Sequence, residues 1–284
     1  MTLDSAIAAS PFRIAPERQL ELRNWCDKEK VNLSYLGNTG FRIDVDTSSK
    51  EICVSLKSIE FIWCSCYSHL VLYSEYQSEL DKNRNEFDII GNICRKNALA
   101  LFDWASLNLK QDANVPWPEE LPQPEQCPNQ ASLMFKVNEM FLAAMGWILH
   151  HELAHIRLGH INTALSNSIM EEKDADVTAT KWILDQCKIG PEMNKRCIGI
   201  AAAILALLGM EIPARKSLPL THPRAYERIY YCLEEARLNE NAHLYRYIAI
   251  IIQLQLSTIG HFPEVKFGTH QELYYAYLEI ISRT

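Results

Sequence analysis

The segment Trp147-Ile148-Leu149-His150-His151-Glu152-Leu153-Ala154-His155 contains the pattern H-E-x-x-H. Positions i and i+4 share one face of a helix, so the imidazoles of His151 and His155 can converge on one zinc ion while Glu152, one step round, reaches its bound water. This spacing fits metal-assisted hydrolysis. A core helix with a solvated histidine pair would carry the same letters, so a third ligand decides the matter, because a catalytic zinc normally takes three protein ligands. One template, H-E-x-x-H-x-x-G-x-x-H, requires glycine at 158 and histidine at 161. The chain has Leu158, Gly159, His160 and Ile161, one place out of register, which leaves His160 as a polar residue complementing the dipole at a helix C-terminus.

A second template takes a glutamate from the next helix, and the chain continues Glu171-Glu172-Lys173-Asp174-Ala175-Asp176-Val177-Thr178-Ala179. Glu172 and Asp176 are i and i+4, so one carboxylate can bind zinc while the other hydrogen-bonds a ligating imidazole. Glu171 is the alternative ligand. Ala175 and Ala179 thin the same general face and let this helix approach the histidine helix. Read alone, the cluster is a solvated acidic helix start favoured by the dipole; after H-E-x-x-H that becomes the weaker reading. A third element is Leu220-Thr221-His222-Pro223 followed by Glu227-Arg228-Ile229. A histidine at a helix start can donate a hydrogen bond to a developing oxyanion. The same letters also make a surface turn with proline at the first helical position, and Arg228 an ordinary ion-pair partner.

The elements that must hold these residues follow from periodicity. Ser132 to about Leu158 lacks proline, is rich in helix formers and is closed by Gly159, which predicts one helix of roughly 40 Å. Helical patterns recur over Met170–Gln186, Lys195–Met210, Pro223–Leu238, His243–Ser257 and Gln271–Ile281. Upstream, VNLSYL, FRIDVD and EICVSLK alternate between the turns Gly37-Asn38-Thr39-Gly40 and Thr47-Ser48-Ser49, as two or three antiparallel strands would. Two core helices are expected over Ser58–Tyr76 and Glu86–Lys110. The proline-rich VPWPEELPQPEQCP at 115–128 excludes a helix or central strand and reads as an extended linker rather than a substrate-lining loop. The expected division is an α+β part at 1–112, a connection at 113–128 and a helical zincin-like part at 129–284. The fold class is α+β, mainly helical, with a small N-terminal antiparallel sheet.

Composition narrows the partners. Lys and Arg total 28 against 35 Asp and Glu, for a net charge of -7, which removes the usual drive toward nucleic acid or an anionic membrane. Hydrophobic residues at 48% and charged residues at 22% exclude a disordered chain. The N-terminus does not read as a signal peptide, and the longest apolar candidate for a membrane span, Cys197–Met210, falls short of the roughly 18 to 20 residues that cross a bilayer. A cytoplasmic protein is expected. Nine cysteines without a C-x-x-C pair disfavour both a disulfide framework and a cysteine-built zinc site. Cys64, Cys66 and His69 read as packed core rather than a second metal cluster.

The three chemical elements in this order resemble the glutamate-ligand zinc peptidases (gluzincins), particularly the HtpX and CAAX prenyl protease group. There H-E-x-x-H precedes an E-x-x-x-D helix and then T-H-P with E-R-I, and His222, Pro223, Glu227, Arg228 and Ile229 fall at that group's offsets. The resemblance covers roughly residues 140 to 230. It implies zinc held by His151, His155 and Glu172, general-base work by Glu152, support from Asp176 and a transition-state contact from His222. The chain departs from that group in having no membrane helices, so membrane residence and prenylated substrates do not carry over. HHELAHIRLGH followed by EKDADVTATKWILD is similar to the Lit phage-exclusion peptidases, which implies translation elongation factor Tu as substrate. The ImmA-type repressor-cleaving peptidases also carry H-E-x-x-H in soluble chains, though the T-H-P element argues against them. A noncatalytic helical binding module is the competing class. The sequence leaves open a requirement for an activating peptide or partner.

Overall fold

The computed structural model describes residues 3–37, 40–82, 92–113, 115–160, 165–214, 222–261 and 263–284. The expected turn residues Asn38 and Thr39, the helix start at Glu86 and Thr221 of T-H-P lie outside them. The fold is α+β and mainly helical. Helices α1 (Asp4–Ile14) and α2 (Gln19–Glu29), joined by a 3-10 turn at Pro16–Arg18, precede the strands β1 (Asn32–Leu36), β2 (Ile43–Asp46) and β3 (Glu51–Ser55). Among the described residues eight helices follow: α3 (Leu56–Asp81), α4 (Ile93–Asn108), α5 (Leu133–Leu158), α6 (Leu165–Leu184), α7 (Pro191–Ala214), α8 (Ala225–Glu234), α9 (His243–Ser257) and α10 (His270–Arg283).

The sheet is mixed, which corrects the antiparallel expectation. Its order is β1-β3-β2. β2 and β3 form the expected antiparallel pair, Ile43 opposite Val54 and Asp46 opposite Glu51. Asp46 holds their turn by accepting hydrogen bonds from the Ser48 and Ser49 N–H groups at 2.9 and 3.2 Å. β1 instead pairs parallel with β3, Asn32 opposite Glu51 and Leu36 opposite Ser55. The chain after β1 therefore passes to the far edge of β3 before β2 begins, and β2 becomes an edge strand that packs against α5.

One continuous apolar core runs through the molecule, including Phe61 and Trp63 of α3, Leu101 of α4, Phe141 and Trp147 of α5, Ile204 of α7 and Ile248 of α9. α5 is the central element. Ser132 caps it by accepting from the Phe135 N–H, and from Trp147 to Ala154 every residue is buried. On one side α7 approaches so closely that a Cβ at Gly199 would stand 2.6 Å from the Ala143 Cβ. On another side α1 crosses at Gly146, where a Cβ would meet the Ser10 carbonyl oxygen at 3.1 Å.

The proline-rich segment is extended, and it is anchored to the helices. Trp117 packs against Trp63 and Trp104 with ring centroids 5.7 and 4.6 Å away. The Trp104 indole N–H donates to the Pro116 carbonyl at 3.1 Å, and Asn138 of α5 donates to that of Glu125 at 2.8 Å.

Candidate metal centre

α5 and α6 lie against each other, with Ala175 and Ala179 buried between them. Small side chains there let Glu172, one turn before Asp176, reach the histidine face of α5. The Nε2 of His151 stands 3.2 Å from Glu172 Oε2, the Nε2 of His155 stands 3.5 Å from Glu172 Oε1, and the two Nε2 atoms are 3.1 Å apart. One donor atom from each of these three residues lies within 4.8 Å of the others. Glu171, the alternative, is not part of this group. Among the described residues Cys64, Cys66 and His69 form no such cluster; all three are buried in α3.

Behind the donors stands a second layer of charge. Asp176, 0% exposed, places Oδ1 2.8 Å from His151 Nδ1. The same carboxylate accepts from Arg228 Nε and Nη2 at 2.8 and 2.7 Å and from the Tyr231 hydroxyl at 2.5 Å. A carboxylate on the remote nitrogen of a ligating histidine fixes its tautomer and turns Nε2 toward the metal position. Arg228 and Tyr231 come from α8, so the E-R-I helix reaches the centre through its arginine. Tyr231 lies outside the sequence-predicted set; its signal is i+3 from Arg228, on the same helix face.

The ionisation of these groups follows their surroundings. Burial opposes charge on the His151 ring, but the Asp176 carboxylate, with help from Glu172, overrides it and lifts the pKa to about 10. Burial, with the neighbouring His151 charge, lowers His155 to about 4. Burial would raise Glu172, yet the hydrogen bond and charge of His151, then His222 and His155, hold it down at about 2. Burial pushes Glu152 up to about 8, assisted by the charges of Glu172 and of Asp44 on β2. Asp176 is held well below the ordinary carboxylate range: burial works against its charge, and Arg228 and His151 outweigh it.

His222 precedes α8, its side chain 57% exposed, with Nε2 3.4 Å from Glu172 Oε1. Glu227 accepts from the Arg224 N–H at 2.9 Å and ties down the first turn of α8. His160 sits past the end of α5, its Nδ1 2.9 Å from His155 Nδ1. The donor set fits a catalytic zinc: two imidazole nitrogens and one carboxylate oxygen, a histidine backed by a carboxylate, and a glutamate beside the first histidine.

The peptidase U49 family model matches residues 52–248, a span that holds every residue of this centre. Over 233 residues the chain is 38% identical to the cell death peptidase of Escherichia coli (strain K12), covering 80% of this chain and 78% of that protein. No solved structure matches the chain.

Proposed function

The chain belongs to the peptidase U49 family, and from that premise we propose that it is a zinc-dependent endopeptidase whose metal is held by His151, His155 and Glu172. The observation that carries this reading is the convergence of those three side chains from two helices, with Asp176 behind the first. Zinc bound there supplies a Lewis acid that lowers the pKa of its water toward about 7 and polarises a scissile carbonyl. Glu152 is the general base: it accepts the proton of the attacking water and returns a proton to the leaving amine. Burial raises its carboxyl and positive charge at the centre lowers it, which keeps proton exchange close to neutral pH. Asp176, locked by Arg228 and Tyr231, holds the His151 ring. His222, exposed beside Glu172, donates to the carbonyl oxygen as negative charge develops on it.

By the resemblance to the Lit peptidases, the substrate is a cytoplasmic protein, elongation factor Tu, cut during phage exclusion; whether cleavage needs an activating peptide or partner is read by adding phage lysate. The test incubates purified elongation factor Tu and, in parallel, a purified repressor with wild type and Glu152→Gln, with and without phage lysate. Cleavage by wild type alone, with zinc retained in both proteins, is expected. Cleavage by Glu152→Gln sinks the assignment of the base. An intact factor beside a cleaved repressor transfers the substrate to the ImmA-type reading.

A further inference from the structure

His151 and His155 both turn Nε2 to the centre, and each therefore presents Nδ1 to the protein behind it. For His151 that nitrogen meets Asp176 at 2.8 Å. For His155 it meets another imidazole. α5 ends at Leu158, and Gly159 enters the left-handed region with φ 66°. Among the described residues no atom would crowd a Cβ at Gly159, and its backbone conformation favours glycine there. The reversed chain lets the Gly159 N–H donate to the Ile156 carbonyl at 3.3 Å and the His160 N–H to that of His155 at 3.1 Å. This cap folds His160 back over the last turn. Its ring stands 5.0 Å from that of His155, centroid to centroid, with the planes 72° apart and the two Nδ1 atoms 2.9 Å from each other.

Two imidazole nitrogens at that distance share one proton: one donates and the other accepts. A ligating nitrogen keeps its lone pair for the metal, so a His155 that binds through Nε2 carries its proton on Nδ1. It then donates to His160 Nδ1, and His160 carries its own proton on Nε2. Resting on the metal reading above, we propose that His160 is a positioning residue for the centre, fixing the tautomer and ring orientation of His155 as Asp176 does for His151. It is not a ligand, because the nitrogen it offers faces the remote side of His155.

The experiment measures zinc affinity of the full chain at fixed pH by competition with a chromophoric chelator, for wild type, His160→Ala, His160→Asn and His155→Ala. An Asn Oδ1 stands close to where a histidine Nδ1 stands and accepts but does not ligate strongly. The expected result is an affinity about 10- to 100-fold weaker in His160→Ala, still saturating at about one zinc per chain, and within about threefold of wild type in His160→Asn. Thermal unfolding of the metal-free proteins separates a plain helix-end effect, which would move both variants alike. Unchanged affinity in His160→Ala overturns the proposal, and so does an equal loss in His160→Asn. A His160→Ala protein that loses its zinc as completely as His155→Ala makes His160 a ligand and also overturns it. Zinc-free wild type defeats the metal reading itself, an outcome distinct from these.

Discussion

Replacing Asp176 by alanine separates stability from metal affinity at the most heavily bonded group of the centre. Asp176 is 0% exposed and Arg228 only 7%, and the carboxylate accepts two guanidinium hydrogen bonds and one from Tyr231. Asp176→Ala strands the Arg228 charge in the interior, and breaking a buried pair from one side costs about 3–5 kcal/mol. The same change frees the His151 ring, which weakens zinc binding about 10- to 100-fold, or about 1.4–2.7 kcal/mol. Urea unfolding of the metal-free protein, followed by tryptophan fluorescence, reads the first quantity, and chelator competition reads the second. Asp176→Ala combined with Arg228→Met removes the stranded charge and recovers more than half of the lost stability while zinc affinity stays low. A stability loss below about 1 kcal/mol, the level of an exposed pair, refutes the reasoning. So does a double variant no more stable than Asp176→Ala alone.

Two further outcomes follow from the packing. Burial lowers His69 to about 3 in the folded chain, whereas the unfolded chain takes its proton near 6.5, so between these values the unfolded state binds more protons. The His69 contribution to stability is therefore full above about pH 6.5 and falls on acidification toward 3 at about 1.4 kcal/mol per pH unit. In His69→Asn the slope of metal-free stability against pH drops by that amount, and parallel curves contradict it. Gly199→Ala places a methyl 2.6 Å from the Ala143 Cβ and 2.8 Å from its carbonyl carbon. The resulting separation of α7 from α5 destabilises by about 1–3 kcal/mol; a melting temperature equal to wild type is the contrary result.

The pairing of His151 and His155 on α5 was legible because helix spacing alone brings them to one face, and because Ser132 and Gly159 mark the two ends of the helix. The choice between Glu171 and Glu172 was not, since adjacent residues on a helix diverge by about 100° and the approach of α6 decides which one meets the histidines. Strand positions came from alternation, but alternation does not name a strand's neighbour, and β1 lies parallel to β3. α1 and α2 escaped the reading. Pro11 and Pro16 interrupt the first segment, and α2 buries Leu22 as its one fully enclosed side chain. Tyr231 meets Asp176 through the docking of α8, for which no sequence spacing exists. His160, read as a complement to the helix dipole, reaches His155 because Gly159 turns the chain back, and that glycine was the available signal.

Metal content of the purified chain bears most directly on the central claim. Elemental analysis of wild type, His155→Ala and Glu172→Ala, each after reconstitution and removal of loose metal, is predicted to give about one zinc per chain in wild type and close to none in either variant. Wild type without zinc, or variants that retain it fully, contradicts the account.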